Sequence, residues 1–126
     1  MGQVVLVVDD VSVVRHLAQR LLESRGYTVL TAQDGREALD ILEQQGAHID
    51  LVLTDVVMPR MDGITLCNRV AEQWPHLPVL VMSAECEPLN LPSEAHFLGK
   101  PFTPDQLFLR VAQTVRPRVM SAKPSP

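Results

Sequence analysis

The chain has 126 residues, 46% hydrophobic and 21% charged, which suits one globular domain with a core of its own. A net charge of −4 with scattered basic residues argues against a nucleic-acid surface, and no apolar stretch approaches the ~18–20 residues that span a bilayer. Cys67 and Cys86 form no C-x-x-C pair and nothing reads as a secretory leader, so a soluble protein of the reducing cytoplasm is expected.

In chain order, residues 3–8 are a β-branched run that stops at Asp9-Asp10, a first strand ending in two carboxylates. Ser12 is placed to cap a helix whose apolar positions Val13, Val14, Leu17, Leu21 and Leu22 follow three-four spacing, with Gly26 closing it. Residues 27–31 make a short second strand. Asp34 with Glu37 three residues on resembles a capping box, opening a helix through Ala38, Ile41 and Leu42 that Gly46 ends. The stretch 51–59, an apolar run closed by Pro59, reads as a strand buried on both faces with Asp55 where the strand ends. Asp62-Gly63 leads into a third helix with Ile64, Cys67, Ala71 and Trp74 on one stripe, stopped by Pro75. Residues 78–82 are the fourth strand, ending at Ser83.

The helical pattern fails over residues 85–93, where Pro88 and Pro92 each remove a donor, so a fourth helix there is expected to be shortened or missing. Residues 95–98 read as a fifth strand, followed by Gly99-Lys100-Pro101. Thr103-Pro104-Asp105-Gln106 is a strong start for a last helix carrying Leu107, Phe108, Val111, Ala112 and Val115. The domain is expected over residues 1–117, with 118–126 a disordered tail lacking an apolar face.

Strands alternating with helices imply a doubly wound five-stranded parallel sheet, whose ligands bind outside the carboxyl ends of the strands. That rim would carry Asp9, Asp10, Asp55, Ser83 and Lys100. Taken singly, Asp9-Asp10 read equally well as a capping pair, Ser83 as a turn serine and Lys100 as a solvated loop lysine. Taken together at four strand ends they imply chemistry. Gathered carboxylates repel, and a hard divalent cation with oxygen ligands, most plausibly Mg²⁺, relieves them. A carboxylate can also attack phosphorus if a metal, a lysine and a hydroxyl stabilise the phosphoryl oxygens, and Asp55, Lys100 and Ser83 supply those catalytic parts. The four histidines, at 16, 48, 76 and 96, show no ligand spacing and are expected at the surface.

Val7-Val8-Asp9-Asp10, the 53–59 segment with Asp62-Gly63, Met82-Ser83-Ala84 and Lys100-Pro101-Phe102 resemble the signature set of the receiver domains of two-component response regulators, over residues 3–116. The resemblance implies a flavodoxin-like strand order 2-1-3-4-5, for which a chemotaxis receiver is a standard example. It implies that Asp55 takes a phosphoryl group from a histidine kinase or histidine phosphotransfer protein. Asp10, Asp55 and the main-chain carbonyl of Val57 would hold Mg²⁺ directly and Asp9 through water. Ser83 matches the switch hydroxyl, Phe97 the switch aromatic and Lys100 the phosphate-binding lysine, with Lys100-Pro101 cis. Ser83 would move towards the phosphoryl group and Phe97 fill the vacated space, although Phe97 also reads as an ordinary core residue of the fifth strand. Val57 cannot orient an attacking water, so slow loss of the phosphoryl group is expected.

Such a protein is a signalling module rather than an enzyme, catalysing only its own phosphorylation and dephosphorylation. Two alternatives compete. A phosphatase of the haloacid dehalogenase type needs a second Asp two residues after the nucleophile, where Val57 stands, and a cap domain. A non-phosphorylated interaction module would not retain all five rim residues. No output domain follows, so the chain reads either as a single-domain regulator acting on a downstream protein or as a receiver from a longer chain, its strands also resembling receivers of hybrid histidine kinases. With little helix between Ser83 and Lys100 to bury, it is expected to stay monomeric.

Overall fold

The structure, a computed structural model, describes residues 2–56, 58, 61–83 and 95–117. Five parallel strands, β1 (Val4–Val8), β2 (Thr28–Ala32), β3 (Leu51–Asp55), β4 (Val79–Ser83) and β5 (His96–Gly99), lie in the order β2-β1-β3-β4-β5. This is the flavodoxin-like order. Among the described residues the helices are α1 (Ser12–Glu23), α2 (Gly35–Gln45), α3 (Gly63–Gln73) and α4 (Pro104–Thr114), with a short 3₁₀ turn, Gly46–His48, after α2.

Strand alternation divides the core into two layers. Leu6, Val8, Val52, Val79 and Val81 face α2 and α3, whereas Val5, Val7, Leu51, Leu53, Leu80 and Met82 face α1 and α4. Both rows are apolar because helices cover both faces of a parallel sheet. Each fully buried leucine among them contributes about 2 kcal/mol by removal of apolar surface from water.

Local signals set the helix ends. Asp34 caps α2 by accepting from the Glu37 amide at 2.8 Å. Glu37 reaches back to the amide of Gln33, not that of Asp34, at 2.7 Å. Thr103 and Gln106 form the complete capping box expected for α4, with Pro104 in the first turn. Gly26 (φ 91°) supplies the left-handed turn after α1, letting the Tyr27 amide bond the Leu22 carbonyl at 3.2 Å.

Four expectations are corrected. Ser12 does not cap α1: it is the first helical residue, after Val11, which makes no side-chain cap bond. The buried stripe of α1 is Ala18 and Leu22, while Val13 (73% exposed) and Leu17 (57%) face outward with Val11. A helix dense in apolar residues offers several stripes, and the one that packs is chosen by the sheet. On α3 the buried residues are Leu66, Cys67 and Val70, with Ile64 and Ala71 at the margin. Trp74 lies after the helix and packs its indole on Gly46, where a Cβ would sit 2.6 Å from Nε1. On α4, Ala112 is exposed and Thr114 is buried, its hydroxyl returned to the Arg110 carbonyl at 2.8 Å.

The edge of the sheet away from the strand ends is tied together by Asp50. Its carboxylate accepts from the Val4 amide at 2.8 Å and lies 3.5 Å from Nε of Arg116, whose Nη2 also donates to the Ile49 carbonyl at 2.7 Å. The expected break in helix over 85–93 and the tail 118–126 lie outside the described residues.

Candidate functional site

The rim forms because four strands, β1, β3, β4 and β5, end within a residue or two of one level. Val8 stands opposite Thr54, so the next residues, Asp9 and Asp55, emerge side by side, and Ser83 stands opposite Gly99, immediately before Lys100. Period-two alternation gives the side chains a common direction. Asp9 continues the Val5-Val7 row, Asp55 the Leu51-Leu53 row and Lys100 that of Leu98, all on the α1/α4 side.

The carboxylates of Asp9, Asp10 and Asp55 each place an oxygen within 4.8 Å of the others. Lys100 Nζ lies 3.3 Å from Asp55 Oδ1 and 4.0 Å from Asp9 Oδ2. Asp9 is 1% exposed, and its Oδ2 is buried without a hydrogen-bond partner among the described residues, whereas Oδ1 accepts from the Val11 amide at 2.9 Å. Burial pushes the Asp9 carboxyl above the usual carboxylate range. The Val11 amide and Lys100 act in the opposite sense, while the neighbouring charges of Asp55 and Asp10 reinforce the rise. A buried carboxylate oxygen lacking a donor, in a cluster of three acids, fits a hard cation with oxygen ligands. The donor set therefore suits Mg²⁺.

Asp55 is held by its surroundings. Its Oδ1 accepts from the Val56 amide at 2.9 Å, the Thr54 hydroxyl donates to its carbonyl at 2.9 Å, and the Gly63 amide donates to the Val56 carbonyl at 2.7 Å. Gly63 opens α3 directly against this turn. A Cβ there would run into the Asp55 carbonyl oxygen and stand 3.0 Å from the Val56 Cα. Only glycine permits so close an approach of helix to strand end.

Ser83 is buried at the end of β4, its carbonyl accepting from the Lys100 amide at 2.7 Å, and the Lys100-Pro101 bond is cis as expected. Phe97 is half-buried and stands opposite Val81, and alternation puts it on the same sheet face as Ser83. Its ring leans over Gly99, where a Cβ would lie 3.6 Å from Cε2. All four histidines are exposed, and none joins the group of Asp9, Asp10 and Asp55. Val57, whose carbonyl was expected to join the site, lies outside the described residues.

Sequence reasoning missed two contributors. Arg15 donates from Nη1 to the Asp9 carbonyl at 2.7 Å, and Gly63 appeared only as part of a turn. For Arg15 the signal was its place one turn into the helix that follows the two carboxylates.

Known proteins resemble this chain in sequence and fold. The family model of the response regulator receiver domain matches residues 5–112. The sensor kinase CckA of Brucella abortus is 43% identical over 114 residues, 86% of this chain and 12% of that protein. The alkaline phosphatase synthesis transcriptional regulatory protein PhoP of Bacillus subtilis is 36% identical, over 99% of this chain and 53% of that protein. The chain thus spans between an eighth and about half of these relatives. Among solved structures, the receiver domain of the hybrid histidine kinase CckA superposes with a TM-score of 0.77 at 40% identity, covering 87% of this chain and 96% of that one. The response regulator TrrA of Thermotoga maritima, solved with Mg²⁺ and BeF, superposes with a TM-score of 0.80 at 27% identity, covering 88% and 97%. With the fold, the acidic rim and the family model in agreement over one stretch, the chain belongs to the receiver domains of two-component response regulators.

Proposed function

We propose that this domain is the phosphoacceptor of a two-component phosphorelay and that Asp55 carries the phosphoryl group. The observation that supports this most is the contact of Lys100 Nζ, 3.3 Å from Asp55 Oδ1, beside the carboxylates of Asp9 and Asp10. The donor is a histidine kinase or a histidine phosphotransfer protein. An Asp55 carboxylate oxygen attacks phosphorus, a P–O bond forms and the P–N bond breaks, and the protonated phosphoimidazole departs as neutral imidazole with the bonding pair. A Mg²⁺ held by Asp9, Asp10, Asp55 and the Val57 carbonyl would neutralise charge on the phosphoryl oxygens.

The chain's own residues do the rest. Lys100 offsets the charge of Asp55 before transfer and that of the phosphoryl oxygens after it. The Val56 amide and the Gly63 contact hold Asp55 in line. The Ser83 hydroxyl receives a phosphoryl oxygen, and Phe97, already on that face, follows it and remodels the surface that a downstream protein reads. In this reading the receiver unit spans residues 1–117, works in the cytoplasm as a monomer without touching nucleic acid, and turns over only its own phosphoryl group. Among the described residues no helix is long and apolar enough to cross a membrane.

Incubation with phosphoramidate or acetyl phosphate, with and without Mg²⁺, tests the assignment by intact mass. The wild-type chain should gain one phosphoryl group only with Mg²⁺, and Asp55→Asn none. Undiminished labelling of Asp55→Asn would overturn it.

A further inference from the structure

We propose that Arg15 is a positioning residue for the cation site, acting through the main chain of Asp9. The inference rests on the phosphoacceptor reading above. It starts from the first peptide after β1, whose direction decides where Asp10 points. The Asp9 amide continues the sheet by donating to the Ala32 carbonyl at 3.1 Å. The Asp9 carbonyl accepts from Arg15 Nη1 at 2.7 Å, a charge-assisted bond from a helix that starts three residues later. The Asp9 side chain closes the turn through the Val11 amide at 2.9 Å, and the Arg15 amide returns to the Val11 carbonyl at 2.9 Å.

The Asp9 main chain is thus held on both sides: β2 holds its N–H, in the preceding peptide, and the Arg15 guanidinium holds its carbonyl, which belongs to the peptide joining the two carboxylates. Asp10 is exposed. With that carbonyl released, the Asp10 carboxylate would sample orientations away from Asp9 and Asp55, and the ordering cost would fall on cation binding.

Two effects of removing Arg15 have opposite signs. Loss of a positive charge near a cation site favours Mg²⁺, because less repulsion remains. Loss of the grip disfavours it. At a partly exposed surface the charge effect is screened, so the grip is expected to win. Arg15→Met, which keeps the stem but neither charge nor donor, should weaken Mg²⁺ about tenfold, the lower end for residues that orient metal ligands. Arg15→Lys, which keeps a charged donor, should stay within about threefold of wild type. Arg25→Ala removes an arginine whose guanidinium stacks on Phe108, remote from the acids, and should leave Mg²⁺ affinity unchanged.

Calorimetric Mg²⁺ titration of the full chain and its variants gives the first reading. Amide exchange of Val11 in metal-free protein gives a second that needs no phosphoryl chemistry. In Arg15→Met that amide should lose protection, with Arg15→Lys restoring it. Mg²⁺ bound by folded Arg15→Met as tightly as by wild type, or more tightly, overturns the proposal, and so does unchanged Val11 protection. A wild-type chain that binds no Mg²⁺ would instead defeat the cation reading of the site, and the exchange measurement would still decide whether Arg15 grips the turn.

Discussion

Replacing Gly63 by alanine sets two physical effects against each other at the point where α3 meets the strand end that carries Asp55. By helix propensity, alanine is better than glycine by up to ~1 kcal/mol, less at a first helical position. By geometry, the new Cβ runs into the Asp55 carbonyl oxygen and lies 3.0 Å from both the Asp55 carbonyl carbon and the Val56 Cα. These are backbone atoms, and they are held by the Gly63-Val56 hydrogen bond of 2.7 Å and by the sheet, so no side chain can swing aside. Overpacking of that kind costs about 1–3 kcal/mol and more against rigid neighbours, so a net loss of about 2 kcal/mol is expected. At about 2.1 cal/mol/K of unfolding entropy per residue, that lowers Tm by roughly 8 °C. The damage should also be local. Val111→Ala, a truncation in the core under α4, should cost about as much stability but leave the Asp55 turn in place. Urea unfolding of both variants, with initial rates of labelling by acetyl phosphate, makes the comparison. Gly63→Ala should label at least ~10-fold more slowly than Val111→Ala, the size of effect an ångström-scale misplacement produces. A Gly63→Ala protein as stable as wild type would refute the close approach, and equal labelling of the two variants would refute its link to Asp55.

Lys100→Met should cut labelling by acetyl phosphate more than ~10-fold while tightening Mg²⁺ severalfold, because a cation 3.3 Å from Asp55 helps transfer but competes for the same carboxylates; calorimetry and mass spectrometry read the two effects. Arg116→Ala should cost about 1–2 kcal/mol in urea unfolding, since buried Asp50 loses its ion pair while keeping the Val4 amide, and the Ile49 carbonyl loses its donor. A change under ~0.5 kcal/mol would show that solvent replaces the pair. Partial desolvation of the exposed imidazole and the nearby Arg110 hold His96 below its ordinary value of 6.5, so the unfolded chain takes up its proton first as pH falls. The stability associated with a neutral His96 is present above pH 6.5 and lost as pH drops through the lower native value, and His96→Gln should flatten that part of the pH–stability curve.

Much of the protein is local and therefore legible in one dimension. Apolar runs that end in Asp9-Asp10, Asp55 and Ser83 declare strands whose carboxyl ends carry polar side chains, because burial on both faces demands continuous hydrophobicity and the rim is where it can stop. The caps Asp34, Asp62 and Thr103 are equally plain, since each bonds an amide three residues away in the chain. What the tertiary structure decided is which of several possible faces each element uses and what meets across long separations. Val13 and Leu17 obey helical spacing as well as Ala18 and Leu22 do, and only the sheet's position chooses between them. Asp50 and Arg116 stand 66 positions apart, and only the fold closes one on the other. Gly63 reads as half of an Asp-Gly turn until the strand end is seen against it, and Arg15 draws no reading at all until its guanidinium meets the Asp9 carbonyl. Periodicity records how often a residue returns to a face, but it holds no information about what that face will touch. That is settled only when the strands align and their ends come level.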